Sequence, residues 1–536
     1  MGYFSDLREF IEELERRGKL QRIKRRVNKD TELMPLFRLQ FRGLAEENRK
    51  AFLFENVTDA KGRRYDMKVM PGSYGASREI FALGMGCERP EEVYEKWRHA
   101  CTHPIEPVLV NSGPVQEKVH TGPELATLGL DELPSPVEEP GFSGTIRTTT
   151  PFITKDPVTG VRNVGTYSGH FRARDRLMAG IGTVRHTMIY HWRTAAKRNE
   201  PLPVAITVGT LPNIVSVGSA NLPYGVDELA VAGGIAGRPV ELVRCKTIPL
   251  EVPANAEIVI EGELSTEWME PYSAFGEYPG YMQAEDHSNV IMKVTAITHR
   301  REAIFTPILV GLPPSESNCI SRTCREMIIY NFLKYSCNLP VVQEVCCAEM
   351  GGGWNFWVIR IKKSHPSQPR QILHAAAGQD PGGKVIIVVD DDINPKDMDM
   401  VSWALSYSMQ PHNDVEIIMG RVPGLDPSGA PPHVKGEGER SFPGEKGTSA
   451  ILIDATRKWP YPPVALPGKP YMEAAMEIWQ EEGLPELSLR PPWFGYTLGK
   501  WTEDHQENAD LMVRGEYLKL GEKMAGRQTR VIGETP

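Results

Sequence analysis

The stretch 145–171, TIRTTTPFITKDPVTGVRNVGTYSGHF, decides how this chain is read. Its two ends, TIRTTTPFITK and RNVGTYSGHF, are rich in β-branched and aromatic residues, and Pro157 and Gly160 punctuate the step between them, as in strands joined by a turn. Working outward, LPVAITVG (202–209), AEIVIEGEL (256–264) and NVIMKVTAITH (289–299) repeat the pattern, each bounded by Gly, Pro or Asn. Together they predict a β-rich middle domain over 116–330, for which a barrel accounts. Within it DELAVAGGIAG (227–237), ended by Gly237 and Pro239, reads as a helix.

The flanks have other periods. Residues 1–115 mix strand-like runs such as AFLFENV (51–57) with helices, of which one starts near Pro90 and another places Leu7, Phe10, Ile11 and Leu14 at helical spacing after Ser5, with Gly18 as a stop. Over 331–480 the strands NFWVIRIKK (355–363) and KVIIVVDDD (384–392) alternate with helical stretches such as PKDMDMVSWALSYSM (395–409), an α/β pattern. Gly420 to Gly447 reads as a long loop, and 481–536 as a polar tail suited to oligomer contacts. The expected class is mixed α/β, with a central barrel between N-terminal and C-terminal α/β domains.

Composition excludes several roles. With 61 Lys+Arg against 69 Asp+Glu there is no global basic field for nucleic acid, and eight dispersed cysteines do not make a disulfide framework. The longest uncharged stretch, Pro201 to Val226, is interrupted by Pro203, Pro212 and Pro223, so it reads as buried strands and turns rather than a membrane span. No apolar signal core opens the chain, and the expected location is the cytoplasm. AGGIAGRP lacks the spacing of a dinucleotide fingerprint, and the Cys319, Cys324 and Cys337 spacings do not match zinc sites. Asp390, Asp391 and Asp392 follow a strand, where loop and cap roles compete with ligand binding.

RNVGTYSGHFRARDRL (162–177), Arg185 with His186, LPYGVDELAVAG (222–233), LEVPANAEIVIEGEL (250–264) and FGEYPGY (275–281) occur in one order. That order resembles the UbiD family of reversible (de)carboxylases, which use prenylated FMN. The likeness extends to GSYGASREIFALGMG (72–86), VVDDDINPKDMDMVSWAL (388–405) and IDATRKWP (453–460), and leaves out roughly the last 60 residues. The resemblance implies a central split β-barrel that binds flavin and a homodimer or homohexamer. It also implies a flavin prenyltransferase as cofactor supplier and, as substrate, an aromatic or conjugated unsaturated acid exchanging carbon dioxide, as in aromatic compound degradation. It further implies that Asn163, His186 and Glu228 hold a divalent metal at the flavin phosphate, with a potassium ion nearby. Amide oxygen, imidazole and carboxylate suit manganese, magnesium or iron(II) better than zinc. Glu277 falls at the family's acid position. Carbon dioxide leaving an sp² carbon strands an electron pair orthogonal to the π system, so a cofactor must act as electron sink and a carboxylic acid must return the proton. Gly165, Gly276, Pro279 and Gly280 are expected in loops near the flavin.

Two departures matter. Most members have an arginine five residues after the metal asparagine, paired with a glutamate five residues before the acid; here the positions are Ser168 and Tyr272. Losing both avoids stranding a buried charge. If 167–176 is one strand, Ser168, His170, Arg172, Arg174 and Arg176 share a face, so His170 is expected to help hold substrate or flavin. The arginines could grip an anionic handle or form a solvated edge. A carboxylated aroyl-CoA thioester of the phthaloyl-CoA type would suit such a row. The second departure is Ala450, where many members carry a phosphate-binding lysine; Lys446 or Arg185 are the substitutes. Rival readings are a non-catalytic or carrier flavin-binding homologue, and a metal-dependent hydrolase using Asn163, His186 and Glu228 without flavin.

Overall fold

Side chains alternate between two faces along a strand, and here that alternation sorts them into the inside and the outside of a closed barrel. The computed structural model describes residues 2–180, 187–283, 286–380, 382–421, 425–429 and 448–530. Arg147–Lys155 pairs antiparallel with Arg162–Ala173, which pairs with Arg176–Ala179, and that strand with Asp286–His299. Asp286–His299 pairs with Ile258–Tyr272, which pairs with Leu202–Val208, and Leu202–Val208 returns to Arg147–Lys155, so the ring of strands has no open edge. Phe152, Tyr167, Leu177, Ile206, Ile260 and Met292 come from all six strands and form one buried cluster, the barrel filling. Their neighbours Ile153, Val164, Ala205 and Val259 face the other way and pack with Ile214 and Val217 of the Pro212–Ser219 helix and Leu229 and Ile235 of the Glu228–Ala236 helix.

The N-terminal sheet joins Leu20–Asn28, Ala51–Thr58, Arg64–Tyr65 and Lys68–Val69, and after the barrel the chain returns to lay Ile304–Phe305 beside Lys68–Val69. The next helix, Glu316–Asn331, is capped by Ser315 and buries the Glu316 carboxylate, which accepts the N–H groups of Gly72 and Tyr74 at 2.9 and 3.1 Å. Beyond that helix lies a C-terminal sheet, in the order Val342–Cys347, Phe356–Ile361, Val385–Asp390, Thr448–Ala455 and Val415–Arg421. Residues 1–391 with 411–454 form one compact unit. Residues 392–410 with 455–536 form a second, where Arg457 grips Asp392 with two bonds of 2.7 and 2.8 Å, a structural role for that aspartate. No helix among the described residues is long and apolar enough to cross a membrane.

Some local expectations need correction. Pro201 to Val226 holds one strand but then a helix, Pro212–Ser219, because Pro212 stands at its first position, where a missing N–H costs nothing. The first helix, Leu7–Arg16, starts after Ser5 as expected and is capped by Asp6, which accepts from Arg8 and Glu9. The run 167–176 is not one strand: it turns after Ala173, which pairs with Arg176, so the arginine row is broken. Each of those arginines also meets a carboxylate: Arg172 and Arg176 approach Glu270 at 3.2 and 3.8 Å, and Arg174 approaches Asp131 at 3.0 Å.

Barrel closure leaves no space at Gly262, where an added Cβ would strike the Lys293 carbonyl oxygen and the Met292 methyl. Gly262→Ala should therefore destabilise the protein by about 1–3 kcal/mol, read as a lower thermal or denaturant midpoint. An unchanged midpoint would contradict the packing described for this seam.

Candidate active site

Beyond Tyr272 the chain leaves the barrel and makes a small hairpin in which Phe275–Gly276 pairs with Met282–Gln283. Glu277 opens its turn: its N–H donates to the Tyr281 carbonyl at 3.0 Å, and its carbonyl accepts from Gly280 at 2.9 Å. Gly280 has φ +94°, reserved in practice for glycine, and any side chain there would meet Leu312. At Gly276 a Cβ would run into the Glu139 carboxylate. Gly280 is thus required by its backbone and packing, and a side chain at Gly276 would displace the Glu139 carboxylate.

Around this turn lies a cluster that sequence reasoning missed. Arg147 is 3% exposed, and its guanidinium forms a two-bond fork with Glu138, 2.9 Å for each bond. It also donates to the Gly276 carbonyl at 2.7 Å and lies 4.5 Å from the Phe275 ring centre. Its remaining nitrogen, Nη1, is buried without a hydrogen-bond partner and stands 3.9 Å from Glu277 Oε1. The available signal was the hairpin register: Arg147 pairs with His170 and Thr149 with Ser168, so Arg147 stands beside the Ser168 position on the outer face.

Burial pushes the Glu277 carboxyl above its ordinary range, with Arg147 and the Tyr278 N–H pulling it down and Glu138 and Glu139 pushing further up. Its side chain keeps 21% of its surface accessible, so it is an acid held towards its protonated form yet reachable. His170 is 2% exposed and touches the Phe275 ring at 4.7 Å and the Tyr272 ring at 5.9 Å. Burial first, then Arg147 and Arg172, hold its imidazole well below the usual range, so it is neutral at pH 7. Ser168 shares a hydrogen bond of 3.1 Å with Thr149. Glu277, His170 and Tyr272 therefore gather about Arg147, and Ser168 lies one register step away.

Asn163 and Glu228 belong to another part of the barrel: Asn163 lies near the start of the Arg162–Ala173 strand, and its neighbour Val164 is bonded to Glu228. Glu228 stands at the N-terminus of its helix, and its Oε2 accepts the Val164 N–H at 3.0 Å. Burial raises its carboxyl to about 7, Asp227 adding to the rise and Arg162 opposing it. The Asn163 amide nitrogen is buried without a partner. A carboxyl raised by burial in this way is one that a bound cation would hold in its charged form. Arg185, His186 and Lys446 lie outside the described residues, so the third expected metal ligand is not part of this geometry. Among the described residues no three His, Cys, Asp or Glu side chains converge as a metal site.

A half-open cleft of about 340 Å³ is lined by Tyr190, Ser219, Asn221, Ser321, Arg325 and Trp354. Ser219 shares a 3.1 Å hydrogen bond with Thr166 on the outer face of the barrel. The Trp354 ring lies 5.2 Å from that of Tyr278, the residue after Glu277, and 3.7 Å from the Arg325 guanidinium.

Comparison with known proteins gives the same assignment from another direction. Three family models match in order: the N-terminal domain of 3-octaprenyl-4-hydroxybenzoate carboxy-lyase over 11–100, its Rift-related domain over 108–313 and its C-terminal domain over 319–455. An uncharacterized protein of Aquifex aeolicus is 33% identical over 485 residues, which cover 86% of this chain and 93% of that one. The prFMN complex of an evolved dimeric form of HmfF, a UbiD-class enzyme from Pelotomaculum thermopropionicum, is 30% identical, with TM-score 0.72 over 85% of this chain and 95% of its own. The apo structure of a 3,4-dihydroxybenzoic acid decarboxylase from Enterobacter cloacae is 27% identical, with TM-score 0.75 over 92% and 99%. With three successive domains matched and the fold shared over most of its length, this chain belongs to the UbiD family of carboxy-lyases.

Proposed function

We propose that the protein catalyses reversible decarboxylation of an aromatic or conjugated unsaturated acid, with prenylated FMN and a divalent metal. The observation that carries this reading is Glu277, a reachable carboxyl kept towards its neutral form by burial beside a fixed guanidinium. A protonated Glu277 hands its proton to the carbon that carbon dioxide has left; in reverse, its carboxylate removes that proton. Bound prenylated FMN supplies the electron sink that this bond cleavage needs. Asn163 and Glu228, with His186, would hold a divalent metal carrying the flavin phosphate, Arg185 or Lys446 would give that phosphate a second cation, and a potassium ion would complete the site. Manganese, magnesium and iron(II) all suit that donor set. Ser168 and Tyr272 would border the flavin, and neutral His170, packed on Tyr272 and Phe275, would help hold substrate or flavin without taking the proton itself.

The finer substrate reading, a carboxylated aroyl-CoA thioester of the phthaloyl-CoA type, rests on the exchange of the family's arginine and glutamate for Ser168 and Tyr272. A nucleotide handle would then supply binding energy that the arginine does not. The arginines at 172, 174 and 176 lend it no support, since carboxylates engage all three. Turnover of such thioesters without free acids would favour it, and turnover of free acids alone would remove it.

The primary test uses protein made anaerobically with a flavin prenyltransferase. Exchange of labelled bicarbonate into an aromatic or unsaturated acid is expected; modified flavin without exchange on any acid would favour a carrier, and no flavin at all a hydrolase. Glu277→Gln should retain the flavin but lose about 100-fold or more of exchange and turnover. Full activity in that variant would overturn the assignment of the proton. Decarboxylation needs the protonated acid, so its rate should fall as pH rises through the raised Glu277 value. Asn163→Ala and Glu228→Ala should each lower metal and flavin content after desalting, measured by elemental analysis and absorbance, while thermal melting reports whether the fold survives.

A further inference from the structure

The family likeness predicts an arginine and a glutamate where this chain has Ser168 and Tyr272, yet the acid is not left without a cation. We propose that Arg147, clamped by Glu138 and by the Gly276 carbonyl, is the positioning residue for Glu277: its one uncommitted nitrogen, Nη1, receives the Glu277 carboxylate once the proton has left. The inference deepens the proposed function and rests on it only for the fate of the proton; the pairing itself is a matter of geometry.

Commitment of the guanidinium decides the direction in which it acts. Nε and Nη2 each give a bond to Glu138, and Nη2 gives a second to Gly276, the residue before Glu277. Glu138 is itself held, since its Oε2 also accepts the Val310 N–H at 3.3 Å. The pair therefore presents its anionic end away from Nη1 and its cationic end to Glu277. At 3.9 Å the Nη1 to Oε1 distance lies outside hydrogen-bonding range, so the two groups are neighbours without a bond. A movement of about 1 Å by the side chain closes a charge-assisted bond and gives the buried Nη1 its first partner. Charge balances throughout: Glu277 loses a proton to the substrate carbon and keeps the negative charge, which Arg147 meets.

Other charged groups press on the same carboxyl. Glu138, from behind Arg147, and Glu139 act on it with like charge, and Tyr278 lies on its own turn. His170 and Arg172 stand behind Arg147, Arg38 faces Glu139, and Arg325 and Asp426 act on Tyr278. The predicted changes consequently have opposite signs for the two members of the pair. Removing the cation favours the neutral acid, whereas removing Glu138's charge favours the carboxylate.

The test titrates the Glu277 carboxyl by infrared difference spectroscopy of the full-length protein, with Glu277→Gln as the reference that isolates its band. Arg147→Met should move the midpoint to higher pH by about one unit or more, Arg147→Lys should restore part of it, and Glu138→Gln should move it to lower pH. In the loaded enzyme the alkaline limb of decarboxylation should shift in the same directions. If Arg147→Met does not fold, by circular dichroism and melting, the opposed shifts of Arg147→Lys and Glu138→Gln carry the test. An unchanged midpoint in folded variants, or shifts of the same sign, would overturn the proposal even if the enzyme turns over acids. Opposed shifts in a protein that turns over no acid would leave the pairing standing and remove the decarboxylase reading.

Discussion

Pairing of Ile258–Tyr272 with Asp286–His299 closes the barrel, and the placement of the acid and its neighbours depends on that closure. A closed ring has an inside and an outside, so each strand must spend every second residue on the filling. Once Phe152, Ile206 and Ile260 are committed inward, Ile153, Ala205 and Val259 are turned outward to receive helices. The same parity turns Arg147, Thr149, Ser168 and His170 to one outer patch. The long strand ending at Tyr272 then delivers the Glu277 hairpin to the edge of that patch. Placement of the acid is thus a consequence of register, fixed by main-chain bonds at positions that do no chemistry.

Buried charge latches the remaining segments to this barrel. Glu257, fully buried just before the closing strand, meets Arg8 of the first helix at 3.3 Å and Arg300 at 3.4 Å. Arg78, in GSYGASREIFALGMG, forks onto Glu326 of the Glu316–Asn331 helix with two bonds of 2.7 Å. Arg322 of the same helix pairs with Glu46 and, at 3.3 Å, with Glu349. Such pairs add little net stability compared with apolar residues of the same volume, yet removing one partner costs about 3–5 kcal/mol. The fork between Arg147 and Glu138 is a buried pair of the same kind, within the candidate site.

The strands are legible because alternation is local: TIRTTTPFITK and RNVGTYSGHF show their period within ten residues or so, and DELAVAGGIAG shows its helix and its stop at Gly237, φ +69°. Pro212 misleads because a proline both ends strands and starts helices, and which it does is settled by what the next turn packs against. The arginine row misleads for a similar reason. A turn at Arg174 and Asp175 carries no glycine or proline to announce it, so the alternation looks continuous where the chain has already reversed.

Taken alone, the sequence determined five of the barrel's six strands, missing Arg176–Ala179, together with the family and the candidate identities Glu277, Asn163 and Glu228, since motif order and short-range periodicity are written along the chain. It could not determine who stands beside Glu277. Arg147 and Gly276 are 129 residues apart, and their bond depends on how the barrel closes. The tertiary structure alone decided that an arginine stands beside the acid although position 168 holds serine. An ion pair needs proximity and shared burial, and strand register sets both without leaving a signal in the local pattern.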